Sequence, residues 1–181
     1  MSRLKAIQTE AATGKAKELL DAVQAKLKIT PNMTRVMANS PAVLGGYLHF
    51  SGALAGGALD AKLREEIALE VGEQNSCQYC VSAHTAIGKM TGLTDSEIAA
   101  AREAQSSSAK NAAALQFARV IVAKKGRIAD VEFDGVRNAG FTDGEIAEII
   151  AHAALNVFTN YFNNVAGVEV DFPKIALRQS A

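Results

Sequence analysis

Apolar side chains recur every three or four residues along almost all of this 181-residue chain, and no stretch of convincing length alternates apolar with polar as a strand does. That periodicity predicts an all-α fold. In "KAKELLDAVQAKLKI", Leu19, Leu20, Val23, Leu27 and Ile29 fall at spacings close to a helical period with lysines and acids between them, which predicts a first amphipathic helix. Pro31 and Pro41 each suit a helix start, where a missing N–H costs little, so two further helices are expected, the second over "PAVLGGYLHFSGALAGG". Within it Gly52 and Gly56 share a face, which predicts either a tight crossing with another helix of the chain or a subunit interface. "DAKLREEIALEVGEQ" offers Asp60 as a cap, with Leu63, Ile67 and Val71 one turn apart.

Thr94/Glu97 and Thr142/Glu145 have the spacing of capping boxes and open two more helices. The segments around them, "GLTDSEIAAAR" and "GFTDGEIAEII", are alike enough to suggest an old duplication. Between them "AKNAAALQFARVIVAKKG" reads as a helix stopped by Gly126, with Lys124 and Lys125 complementing its carboxyl-end dipole. "GVEVDF" near the end is at most a short extended segment.

With 49% hydrophobic residues, a chain of this length can bury one substantial core, so one domain over residues 1–181 is expected. Lysine plus arginine equals aspartate plus glutamate at 19 each, which lacks the basic footprint of a nucleic-acid partner. "MSRLKAIQTEAATGK" lacks the apolar centre of a secretory signal. The uncharged run from Val36 to Leu59 is broken by Asn39, Ser40, Pro41, His49 and five glycines, and reads as buried helix rather than a membrane span. A cytoplasmic location follows as the expectation.

Both cysteines and one of three histidines fall in "CQYCVSAH", residues 77–84. Asn75 or Ser76 is available to cap a helix there and Gly92 to end it. Helical residues three apart bring their Cα atoms to roughly 5 Å, within the reach of a disulfide, so Cys77 and Cys80 can exchange dithiol for disulfide without unfolding. His84 shares their face. The helix-start dipole favours a lowered thiol pKa at Cys77, while the one-turn spacing to His84 favours Cys80, and residue chemistry alone leaves the nucleophile open.

Other uses of these residues compete. Attachment of a c-type haem needs histidine directly after the second cysteine, where Val81 stands. A zinc site would draw on Cys77, Cys80 and His84 with a fourth ligand from Glu65, His49 or His152. Two inert, buried cysteines are the third possibility. His49, between Leu48 and Phe50, suits a core or interface role. His152, with Asn156, Asn160 and Asn163, forms a polar line at helical spacing that either ties helices together or faces a pocket.

Taken together, Glu65, eleven residues, Cys77, two residues, Cys80, three residues and His84 resemble the signature of the alkyl hydroperoxidase D group of the carboxymuconolactone decarboxylase superfamily, best over about residues 41–92. The resemblance implies an AhpD-like helical fold, a homo-oligomer such as a trimer or hexamer, and thiol-based reduction of a hydroperoxide without a cofactor or metal. It makes Cys80 the peroxidatic thiol, Cys77 the resolving thiol that meets a dithiol or lipoyl-type protein reductant, and Glu65 with His84 a proton relay. One position departs: well-studied members carry histidine before the second cysteine, and this chain has Tyr79, a poor base at neutral pH. Decarboxylase or isomerase chemistry, known elsewhere in the superfamily, needs no cysteine pair.

Overall fold

The computed structural model describes residues 2–178, so Met1 and residues 179–181 of the expected single domain lie outside the described residues. Among the described residues there are nine α-helices and no strand. In chain order they are α1 (Gly14–Leu27), α2 (Asn32–Met37), α3 (Pro41–Ala55), α4 (Ala61–Gln74), α5 (Gln78–Met90), α6 (Asp95–Ala101), α7 (Ala109–Ala123), α8 (Asp130–Asn138) and α9 (Asp143–Ala166). None is long and apolar enough to cross a membrane.

Helix α4 is the hub, packing against α5, α6, α7 and α9. The expected stripe of Leu63, Ile67 and Val71 is buried, but so are Ala68 and Leu69 on the flanks and the carboxylates Glu66 and Glu70. Those carboxylates keep partners. Arg119 of α7 donates to both Glu70 oxygens at 2.6 and 2.8 Å, and Asn111 Nδ2 donates to Glu66 at 2.9 Å. Burial pushes both carboxyls above their ordinary value, against the pull of Arg119 on Glu70 and of Asn111 on Glu66. These side-chain bonds from α7 tie it to α4 at the two buried carboxylates.

Both expected capping boxes form. Thr94 and Thr142 accept the N–H of Glu97 and Glu145 while those carboxylates accept the threonine N–H. The residue before each threonine, Leu93 or Phe141, is buried in the same core as the first apolar residue after the box, Ile98 or Ile146. The duplicated chemistry thus starts two helices of very different length, 7 and 24 residues.

The Gly52/Gly56 face does not form a tight crossing within the chain. A Cβ placed on Gly52 meets nothing, and one on Gly56 meets only the Ala53 carbonyl of its own helix. His49 is likewise exposed rather than in the core. The apolar run that suggested burial instead leaves much of α3 exposed, with Leu44 its one fully buried side chain.

Beyond α9 the chain runs as an extended strap, residues 167–178, without a partner strand. Val168, Val170 and Phe172 turn inward at alternate positions, and Gln78 Nε2 and Arg102 Nη2 donate to the carbonyls of Ile175 and Ala176. The strap therefore closes over the start of α5.

Thr142→Ala is expected to lower unfolding free energy by about 1 kcal/mol in urea titration. Hydrogen bonds from Thr142, the backbone N–H foremost, hold the Glu145 carboxyl below its ordinary value. Its contribution is therefore complete at neutral pH and lost as pH falls through the lowered value, so Glu145→Gln and the unsubstituted protein should differ at pH 7 and converge in acid.

Candidate active site

Helices α4 and α5 meet in a turn of three residues, and its backbone decides where the sulfurs go. Ser76 adopts a left-handed conformation (φ 51°), reversing the chain so that the Cys77 N–H donates to the Gly72 carbonyl at 2.9 Å. A Cβ on Gly72 would already touch Cys80 Cβ at 3.5 Å and Val81 Cγ2 at 3.4 Å, so the missing side chain lets α5 pack closely here. The helix cap is neither Asn75 nor Ser76. Cys77 is the cap, and its sulfur accepts the Cys80 N–H at 3.2 Å. A residue with a left-handed backbone cannot also stand in the extended conformation of a cap, which moves the cap one position on.

Cys77 and Cys80 are joined as a disulfide with Cα atoms 5.3 Å apart. Both are sealed, at 0% and 2% exposure, within a cluster containing Val36, Ala83, Ala166 and Val168. On α9, Asn163 Nδ2 donates to Cys80 Sγ at 3.2 Å and stands 3.3 Å from Met33 Sδ. The polar line on α9 was legible in the sequence by its spacing, but not that its last member ends on a sulfur.

His84 Nδ1 and Glu65 Oε2 lie 2.7 Å apart, with both side chains partly exposed. A carboxylate on Nδ1 fixes the proton there and leaves Nε2 as the basic nitrogen. His152 does not join this pair by a hydrogen bond. It is buried, its Nε2 has no partner among the described residues, and burial followed by the charge of Arg64 holds it below the ordinary imidazole value against the fields of Glu148 and Glu65. It is therefore neutral at neutral pH. Tyr47, which the sequence did not single out, faces the Glu65 charge, and desolvation with that charge pushes its phenol up to about 12.

Tyr79 is committed elsewhere. Its hydroxyl accepts the Met33 N–H at 3.2 Å and Asp171 accepts the Asn32 N–H at 2.7 Å, so these two side chains together satisfy the first turn of α2. Burial above all, with the neighbouring Asp171 carboxylate, pushes the Tyr79 phenol far up, and its ring meets Phe172 edge-on at 5.8 Å. No three histidine, cysteine or carboxylate side chains among the described residues converge as a metal-binding group. The zinc arrangement weighed above therefore finds no donor set, the two cysteines being bound to each other.

Residues 41–123 match the model of the carboxymuconolactone decarboxylase family, and the chain carries a domain of that family there. The all-helical fold is AhpD-like. It is similar to the alkylhydroperoxidase AhpD core of a peroxidase-related protein from Ralstonia eutropha JMP134, with a TM-score of 0.84, 24% identity, and coverage of 94% of this chain and 92% of that one. A peroxidase-related protein from Silicibacter sp. TM1040 is similar at a TM-score of 0.82 and 21% identity, over 93% of this chain and 91% of that one. The debrominase Bmp8, bound to 2,3,4-tribromopyrrole, is similar at a TM-score of 0.80 and 20% identity, over 93% and 91%. At these identities the likeness speaks to the fold alone. No curated protein matches the sequence.

A reductant reaches sulfurs this buried only through local opening of the elements that cover them, the strap among them. Phe172→Ala, which removes the ring against Tyr79, is expected to speed reduction of the disulfide by a small dithiol by about tenfold, followed as thiol release with time.

Proposed function

We propose that the protein is a thiol-dependent hydroperoxidase cycling between the Cys77–Cys80 disulfide and the dithiol. The observation that carries this reading is a bridged cysteine pair at the start of α5, one helical turn before an imidazole whose other nitrogen is held by Glu65 at 2.7 Å. The fold alone does not choose the substrate, since Bmp8 is a debrominase. The choice of peroxide rests on the residues.

In the dithiol state His84 Nε2 takes the Cys80 thiol proton, while the Glu65 carboxylate holds Nδ1 and orients the ring. The Cys80 thiolate attacks one peroxide oxygen. The S–O bond forms and the O–O bond breaks, with two electrons passing from sulfur to the peroxide. The leaving alkoxide takes the proton held by His84, giving an alcohol and Cys80 sulfenic acid. Cys77 then attacks the sulfenic sulfur, an S–S bond replaces the S–OH bond, and hydroxide leaves to be protonated as water. The Cys80 N–H that caps onto Cys77 Sγ stabilises the resolving thiolate before this step. An external dithiol, with a lipoyl-bearing protein as the natural class, returns two electrons and two protons and is itself oxidised to a disulfide.

Tyr79 has no part in proton transfer in this scheme, and its work is to hold α2 beside the site. His152 stays neutral outside the relay. A cycling dithiol suits the reducing cytoplasm. Assembly of a homo-oligomer through the exposed side of α3 and α9 is supported by an apolar cleft of about 230 Å³ between Tyr47, Phe50, Leu155 and Phe158.

The test is peroxide consumption with a dithiol reductant. Cys80→Ser should abolish it, and His84→Ala should slow it by about 100-fold or more. Consumption by Cys80→Ser at the unsubstituted rate would overturn the proposal.

A further inference from the structure

We propose that Asn163 is a further catalytic residue, its side-chain amide donating a hydrogen bond to Cys80 that stabilises the thiolate and then the sulfenate. The inference rests on Cys80 being the reacting thiol.

Cys80 has a problem that a base alone does not solve. At 2% exposure among Val36, Ala83, Ala166 and Val168, its thiolate is removed from water, and burial disfavours the charged form. Its own N–H is given to Cys77. His84 removes the proton, but a buried anion also needs a donor that stays. The donor the structure supplies is Asn163 Nδ2, at 3.2 Å from Cys80 Sγ.

Three features separate this contact from a structural tie. Thioether and disulfide sulfurs are weak acceptors, so the bonds to Met33 and Cys80 do little for the oxidised fold. Asn163 Oδ1 is buried with no partner among the described residues, so the amide makes no competing bond and its donor side is the one engaged, on sulfur. The backbone beneath the amide is also fixed: the Asn163 carbonyl accepts from both Gly167, whose φ of 62° ends α9, and Val168. The donor is thereby preorganised, and only in the thiolate and sulfenate does its acceptor become strong.

Asn163 also lines the cleft of about 340 Å³ between Tyr79, Gln78 and the strap at Val168. The amide thus stands between this cleft and the buried Cys80 sulfur, and a peroxide entering here reaches the amide first and the sulfur only on local opening.

The test is made in the Cys77→Ser protein, which leaves one thiol. Alkylation of Cys80 by iodoacetamide is followed against pH, beside peroxide consumption in a single turnover. Asn163→Ala should raise the alkylation midpoint by about one to two pH units, and Asn163→Asp, equal in volume but with an acceptor in place of the donor, by at least as much. Single-turnover peroxide reduction at neutral pH should fall about tenfold or more in both. In the protein with Asn163 intact, the side-chain amide resonance of Asn163 should shift with the same midpoint as Cys80, a readout independent of whether the variants fold. Unchanged midpoints in the variants, or an amide that does not titrate with Cys80, would overturn the inference. Failure of the hydroperoxidase reading looks different: Cys80 would then show its Asn163-dependent midpoint but consume no peroxide.

Discussion

Cys77 stands where an aspartate or serine ordinarily caps a helix, and its sulfur accepts the N–H of Cys80, the other half of its own disulfide. Much of the molecule is arranged around that contact. The left-handed Ser76 turns the chain into it, Gly72 makes room for it, and the first turn of α5 then presents the second cysteine at a Cα separation that a bridge accepts without backbone movement. In the proposed cycle this cap is also a redox partner, and the N–H that satisfies the helix terminus would stabilise a negative sulfur when the bridge is open.

Enclosure follows from the same placement. The start of α5 is covered on one side by α2 and the end of α9, and on the other by the strap, so the cysteines belong to an apolar cluster rather than to the surface. Tyr79 shows how the site and its cover depend on each other. Its hydroxyl completes the first turn of α2, its ring holds Phe172 of the strap, and it lies between the two cysteines in sequence. A histidine at this position would be a shorter side chain with different reach. The tyrosine is therefore better read as part of the architecture that shields the sulfurs than as a replacement base.

The helices and their caps were legible because they rest on local chemistry: Asp60, Thr94 and Thr142 cap as their spacing indicates, and Gly126 (φ 78°) follows α7. The pairing of Cys77 with Cys80 was legible for the same reason. What spacing could not show was tertiary. Asn75 and Ser76 looked better as caps than a cysteine, and only the turn geometry displaces them. Gly52 and Gly56 suggested a close crossing, yet no neighbouring element of the chain lies over them. The carboxylates Glu66 and Glu70 carry no outward sign of burial, because their partners Asn111 and Arg119 lie more than forty positions away in sequence. Asn163 was visible as one of a polar line, but its acceptor comes from a different helix.

The carboxymuconolactone decarboxylase family domain and the AhpD-like fold place the chain among proteins that include peroxidase-related members and a debrominase. Within that range the proposed hydroperoxidase cycle depends on electrons leaving this sulfur pair and no other group. The most direct measurement is a thiol count on the fully reduced protein before and after one equivalent of hydroperoxide. The account predicts that both thiols disappear together, with a mass loss of about two hydrogen atoms and one equivalent of alcohol formed. Survival of both thiols after the peroxide has been consumed, or a peroxide left unconsumed by the reduced protein, would contradict it.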